Sequence, residues 1–328
     1  MSESAAQDGR PSGNRLVALV EAMRIPHWVK NGFVAAPLVF AAQFGNLLAW
    51  GRCLAAVAAY CLLSSGVYLI NDIADRQADR AHPIKKNRPI ASGRLSVSAA
   101  VVAAMVLLMA GLGIAIVVEY FTYAPGRPLF GIELVVWTVA YLALNLLYSF
   151  WLKYIVIVDV IVVALGFVLR AMAGAAAIVV PISPWLVLCT FTLCLFIALA
   201  KRRSEVTMLE GDVASAARSV NRRYDRLDLE HMLTVSTAMA ILTYSLYCVA
   251  PQTILRIGSA HLIWTIPLVV YGMFRYNLLT RKAARGDAVD VVLHDKILWL
   301  VMAVYLLVVI LVLLYGWHPS VASVLDIR

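Results

Sequence analysis

"LAAVAAYCLLSSGVYLINDIADRQADRAHPIKKNRPIASGRLS", residues 54–96, joins two very different kinds of chain. Its first part is an unbroken apolar run. Its second crowds Asp72, Asp75 and Asp79 together with Arg76, Arg80, Lys85, Lys86, Arg88 and Arg94. Charge set against an apolar run of this kind marks a helix leaving a bilayer, because about 20 apolar residues at 1.5 Å each span the hydrocarbon layer. The rest of the chain repeats the pattern. Of its 328 residues 62% are hydrophobic and 14% charged, with a mean hydropathy of +0.83, far above what a soluble core requires. Nine apolar stretches are expected to span, at about 32–50, 52–70, 97–119, 129–150, 155–180, 185–200, 232–250, 260–279 and 297–316. They are continuously apolar and lack the alternation of a membrane barrel strand, so the expected fold is all-α and polytopic.

The basic residues orient the bundle. With the N-terminus in the cytoplasm, nearly all Lys and Arg fall on that side; only Arg52, Arg127, Arg256 and Arg328 fall outside, and Arg170 and Arg275 lie within spans. The net charge of +9 is therefore a topology signal, and no nucleic-acid partner is expected. Residues 1–18 read as a polar, disordered tail, 19–317 as one membrane domain and 318–328 as a short C-terminal tail. The five cysteines lack metal-ligand spacing and read as packing residues. No nucleophile elbow, zincin, P-loop or dinucleotide fingerprint stands in a fitting context. Outward links are short or carry little charge, whereas 71–96, 201–231 and 280–296 are long and charged, which places function on the cytoplasmic face.

If the second span continues through its charged end, a helical period puts Asp72, Asp75 and Asp79 on one face behind Asn71. Like charges at that spacing repel and require compensation. A divalent cation of Mg²⁺ type, held by carboxylates and substrate phosphates, provides it; the alternative is a solvated helix end paired with Arg76 and Arg80. Lys85, Lys86 and Arg88 suit a phosphorylated ligand, or else serve topology and anionic lipid. Lys201, Arg202 and Arg203 repeat that choice after the sixth span, where Glu205 adds one acid. Lys30, Tyr148, Lys153 and Arg275 stand at cytoplasmic span ends as substrate contacts or interfacial anchors. Arg170 lies deep in the fifth span, where a charge costs at least a few kcal/mol without a partner. It marks a buried anion site or a structural ion pair.

These motifs resemble the UbiA superfamily of intramembrane prenyltransferases, in which an N-D-x-x-D-x-x-x-D string binds Mg²⁺ and a diphosphate. "WVKN" (28–31), "NDIADRQADRAHPIKKNRPIASG" (71–93), "LRAMAGA" (169–175), "KRRSE" (201–205), "RY" (275–276) and "LHDKIL" (293–298) look like its polyprenyl-phosphate phosphoribosyltransferase branch. Where that branch usually shows Lys-Arg-Tyr-Ala-Glu, this chain has Lys201-Arg202-Arg203-Ser204-Glu205, without the tyrosine. The resemblance implies a nine-helix bundle in the inner (plasma) membrane with a cytoplasm-facing site. It implies Mg²⁺ on Asp72, Asp75 and Asp79, and transfer of 5-phosphoribose from phosphoribosyl pyrophosphate to a polyprenyl (decaprenyl) phosphate for arabinan of the cell wall. Lys201, Arg202 and the stretch with Lys85, Lys86 and Arg88 would hold the donor's phosphates, Lys30, Lys153 and Arg170 the lipid phosphate or the 5-phosphate, and Asn71, Arg80, Tyr148, Glu205 and Arg275 would complete the substrate contacts. The rival within the superfamily is an aromatic prenyltransferase acting on 4-hydroxybenzoate, whose second motif is Asp-rich where this chain is basic. A lipid-phosphate carrier is a further alternative, and the oligomeric state is left open.

Overall fold

The computed structural model describes residues 15–41, 43, 45–82, 85–122, 133–209, 224–282 and 295–315. Its elements are α1 (Arg15–Ala22), α2 (Ala36–Phe40), α3 (Leu47–Ala74), α4 (Arg76–Ala81), α5 (Val97–Thr122), α6 (Glu133–Phe150), α7 (Val158–Ala177), α8 (Pro184–Leu209), α9 (Arg226–Val249), α10 (Pro251–Ile257), α11 (Ile266–Lys282) and α12 (Lys296–Tyr315). Short 3₁₀ turns fill Ile25–Val34, Lys85–Asn87, Leu152–Tyr154 and His261–Thr265. There are no strands among the described residues. Among the described residues eight helices are long and apolar enough to cross a membrane.

The first expected span, 32–50, is no single helix. Pro26 and Pro37 each open a new short element, and Gly45 precedes the start of α3, so residues 15–40 form a run of α1, a 3₁₀ stretch and α2. Proline withholds a donor and clashes with the preceding turn, which breaks a helix at such points. Residues 47–50 join α3, which runs for 28 residues straight into the acidic motif. Helix α1 also begins inside the stretch expected to be a disordered tail, with Ala18 and Ala22 buried against α3 and α5. Residues 318–328 lie outside the described residues.

Helix α7 is the pillar. It is buried over two thirds of its spanning window and is shared by two cores. At one end Val160 packs with Phe196, Leu199, Leu229 and Leu233 of α8 and α9. At the other Ala173, Ala176 and Ala177 pack with Tyr60, Leu63, Leu134 and Tyr141 of α3 and α6. The alanine-rich end lets backbones close in: a Cβ on Gly174 would lie 1.9 Å from the Val34 carbonyl oxygen, and one on Gly111 of α5 would lie 2.8 Å from that of Ala59 in α3. Small residues at crossings are how helices associate without a hydrophobic drive between them. By contrast α5 and α12 show rows of exposed apolar side chains, among them Met105, Val106, Met109, Leu300, Leu307 and Leu314. Such surfaces suit hydrocarbon and not water.

Candidate active site

The acidic string does not stay on one helical face. Helix α3 stops at Ala74, and Asp75 takes φ −87° and ψ 3° before α4 begins. The i to i−4 hydrogen bonds from Asp75 to Asn71 (2.9 Å) and from Asp79 to Asp75 (2.8 Å) carry the chain through this joint. Asp72 and Asp79 turn inward, 2% and 4% exposed, onto one nitrogen: Arg88 Nη1 donates to Asp72 Oδ1 at 3.1 Å and to Asp79 Oδ2 at 2.8 Å. Arg24 closes on Asp72 Oδ1 at 2.5 Å from the far side. Asp75 faces elsewhere, to Lys153 Nζ at 2.5 Å.

Lys153 is 1% exposed. It sits in the link between α6 and α7, and that link ties the first polar segment to the second. Four residues beyond it the chain enters Ile157, with φ +70°, and then α7. Asp159, in the first turn of α7, is fully buried; its Oδ2 accepts from Arg202 Nε at 2.7 Å and its Oδ1 from the Tyr224 hydroxyl at 2.7 Å. Arg202 also meets Glu205 through Nη1 and the Tyr148 hydroxyl through Nη2, at 3.3 Å for the latter. Burial and the Asp159 carboxylate push the Tyr224 phenol well above its ordinary range, so it remains a donor. Cation–carboxylate pairs thus tie Arg88 to the end of α3, the α3–α4 joint to the α6–α7 link, and the start of α7 to Arg202 of α8.

Other expected site residues are spent differently. Among the described residues Arg170 meets no carboxylate, and its partners are neutral. Its nitrogens donate to Asn31 Oδ1 (3.0 Å), the Gly166 carbonyl (3.3 Å) and the Tyr141 hydroxyl (2.8 Å), and its guanidinium lies 4.7 Å and 5.0 Å from the ring centroids of Tyr141 and Phe167. Asn31 in turn donates to Ser64 and Cys61 of α3, so Arg170 fastens α7 to the broken N-terminal segment and to α3. Neutral acceptors and ring faces accommodate a guanidinium where a free charge would be costly. Arg275 is held by both oxygens of Asp295, at 3.0 Å and 2.8 Å, on the α11–α12 side of the bundle. Arg80 donates to the Ala91 carbonyl at 3.0 Å and fixes the turn after α4. The Lys85 amide reaches His82 Nδ1 at 3.3 Å, and Lys86 is exposed. Lys30 Nζ lies 3.2 Å from His27 Nδ1, while Lys201 is half-buried beside Arg202.

Arg24 and Tyr224 are not among the expected site residues, and Asp159 is expected only as a polar residue at a span end, beside Tyr148 and Lys153. An acid in the first turn of an apolar span is a signal for Asp159, since such a group persists only with partners. Nothing local marks Arg24 or Tyr224. Among the described residues no three Asp, Glu, His or Cys side chains converge as a ready metal cluster. Two hard carboxylate oxygens, from Asp72 and Asp79, do focus on a single cationic nitrogen, and a donor set of that kind fits a divalent ion of Mg²⁺ type.

The chain is similar to known proteins along most of its length. A decaprenyl-phosphate phosphoribosyltransferase of Mycolicibacterium smegmatis is 30% identical over 312 residues, covering 91% of this chain and 93% of its own. Another protein of that name, from Corynebacterium glutamicum, is 31% identical over 311 residues, covering 91% and 90%. A UbiA homolog from Archaeoglobus fulgidus, solved with GPP and Mg²⁺, superposes with a TM-score of 0.62 at 16% identity, over 93% of this chain and 99% of its own. The model of the UbiA prenyltransferase family matches residues 32–291, from the segment that holds Arg170 through α11, and the chain belongs to that family.

Proposed function

We propose that this membrane transferase moves 5-phosphoribose from phosphoribosyl pyrophosphate to a polyprenyl phosphate, with Mg²⁺ at Asp72 and Asp79 and with the site open to the cytoplasm. The observation that carries the reading is the character of the second polar segment. Lys201, Arg202 and Arg203 follow one another there, and Glu205, the one acid of that string, is committed to Arg202. A site with acids on one polar segment and bases on the other suits a soluble donor with a monophosphate and a pyrophosphate, plus a lipid monophosphate. An aromatic prenyltransferase would want a second set of metal-binding acids at that place. The names carried by the relatives at about 30% identity support the same choice.

The chemistry needs little from the protein beyond placement. The phosphate oxygen of the lipid is already an anion, so its attack on ribose C1 requires no general base. As that C–O bond forms, the bond from C1 to pyrophosphate breaks, with inversion, and pyrophosphate leaves with the electron pair. A divalent cation on Asp72 and Asp79 would neutralise charge on the leaving pyrophosphate. Arg88, Lys85 and Lys86, in the segment that follows these acids, bind and orient the donor's phosphates. Lys153 neutralises Asp75, and Arg202 presents its outer edge to an anion. The polyprenyl tail rests in the apolar bundle, the only reservoir long enough for it.

Purified protein in detergent, given Mg²⁺, labelled phosphoribosyl pyrophosphate and a polyprenyl phosphate, should yield labelled lipid and free pyrophosphate. Absence of labelled lipid, with prenylation of 4-hydroxybenzoate from a polyprenyl diphosphate, would replace this reading by the rival one.

A further inference from the structure

Asp159 receives two hydrogen bonds from residues that flank the second polar segment. Arg202 stands on α8 and Tyr224 just before α9, and both donate to the same carboxylate, one to each oxygen, at 2.7 Å. That carboxylate is 0% exposed. Tyr224 is itself fixed, because its oxygen accepts the Ile157 backbone N–H at 2.7 Å. Ile157 is a β-branched residue at φ +70°, a conformation that such residues avoid unless surrounding contacts impose it. Strain of this kind, next to a buried polar network, points to a position held for function.

The partners of Arg202 differ in their access to solvent. Asp159 grips Nε from the buried side, while Glu205, with its side chain 31% exposed, meets Nη1 from the open side. The Tyr148 hydroxyl lies at a looser 3.3 Å from Nη2. An incoming phosphate can exchange with Glu205 and Tyr148 but not with Asp159. The guanidinium is therefore anchored from behind, with the Nη edge, the one suited to bidentate phosphate contact, turned forward.

We infer that Asp159 and Tyr224 are positioning residues for the donor: they fix Arg202 so that its Nη edge meets a phosphate of phosphoribosyl pyrophosphate. This rests on the phosphoribosyl reading above, and it assigns a role to two residues that touch no substrate. Asp159→Asn keeps the shape and one acceptor but removes the charge. Tyr224→Phe removes only the hydroxyl. Both should raise the KM for phosphoribosyl pyrophosphate by roughly tenfold to a hundredfold, the worth of one charge-assisted hydrogen bond. The kcat and the KM for polyprenyl phosphate should change little.

Arg202→Gln should raise the donor KM as well, and adding Asp159→Asn to it should raise it no further, since the two act in series. A merely structural network would lower the melting temperature and the amount of active enzyme while leaving the donor KM alone. An unchanged donor KM in Asp159→Asn and Tyr224→Phe, or additive effects in the double variant, overturns the inference while wild-type transfer stands. Wild-type protein that transfers no phosphoribose would sink the functional reading before any variant is compared, and this inference with it.

Discussion

At the scale of single residues, the site is a set of acids each already neutralised by a named base. Asp72 carries Arg24 and Arg88, Asp79 shares Arg88, and Asp75 takes Lys153. Replacing Asp72 by Asn leaves both arginines a neutral acceptor, so the bundle should fold. The oxygen that a divalent ion needs loses its charge, and Mg²⁺-dependent transfer should fall by roughly a hundredfold or more. Circular dichroism melts and transfer rates on the same preparation check both halves, and unaltered turnover would remove Asp72 from the metal set. His82 offers a pH test. Burial, and then the charge of Lys85, lower its pKa from the usual 6.5, and its Nδ1 accepts the Lys85 amide. The folded state thus favours neutral imidazole, and the unfolded chain binds the proton first. Stability from this contact is present above about pH 6.5 and is lost as pH falls toward the lowered folded value. Wild-type protein should lose melting temperature between pH 7 and pH 5, and His82→Gln should flatten that limb of the profile.

At the scale of elements, α7 organises the site because it is the most buried of the spanning helices among the described residues. Its N-terminal turn carries Asp159, its middle carries Arg170, and its alanine-rich end receives the 3₁₀ stretch that holds Asn31. Gly174 is the point of closest approach, with no room for a Cβ beside the Val34 carbonyl. Gly174→Ala should push the 25–34 segment away and cost about 1–3 kcal/mol, read as a lower melting temperature in detergent. Gly272 on α11, where a Cβ would meet only Val301 at 3.9 Å, should accept alanine at little cost and serves as the control. The broken character of residues 15–40 follows from Pro26, Pro37 and the turns around them. The hydropathy that suggested one long span there is real, but proline chemistry divides it.

At the scale of the whole molecule, the number of crossings decides which side of the membrane each end occupies. Eight single helices can cross, and the broken run of residues 15–40 is the candidate for a ninth passage. The distribution of Lys and Arg predicts that it does cross, with the N-terminal side in the cytoplasm and the residues after α12 outside. Compartment-sensitive reporters fused ahead of α1 and after α12 should report opposite sides. Reports from the same side would mean that residues 15–40 return to the face they started from.

The sequence by itself determined the helical membrane class, the charged face, the acidic string and the basic character of the 201–205 segment. These are properties of composition and of spacing within one element, and hydrophobic periodicity carries them directly. Only the tertiary structure decided which base meets which acid: Lys153 with Asp75, Arg24 with Asp72, and Arg202 and Tyr224 together on Asp159. It also gave Arg170 its neutral partners, Asn31 and Tyr141, on two other elements. Each of those pairs joins residues more than 25 positions apart in the chain, brought together by how α3, α6, α7 and α8 pack. Local pattern has no information about such crossings, because they depend on which small residues let two backbones approach and on which buried charge then lacks a partner.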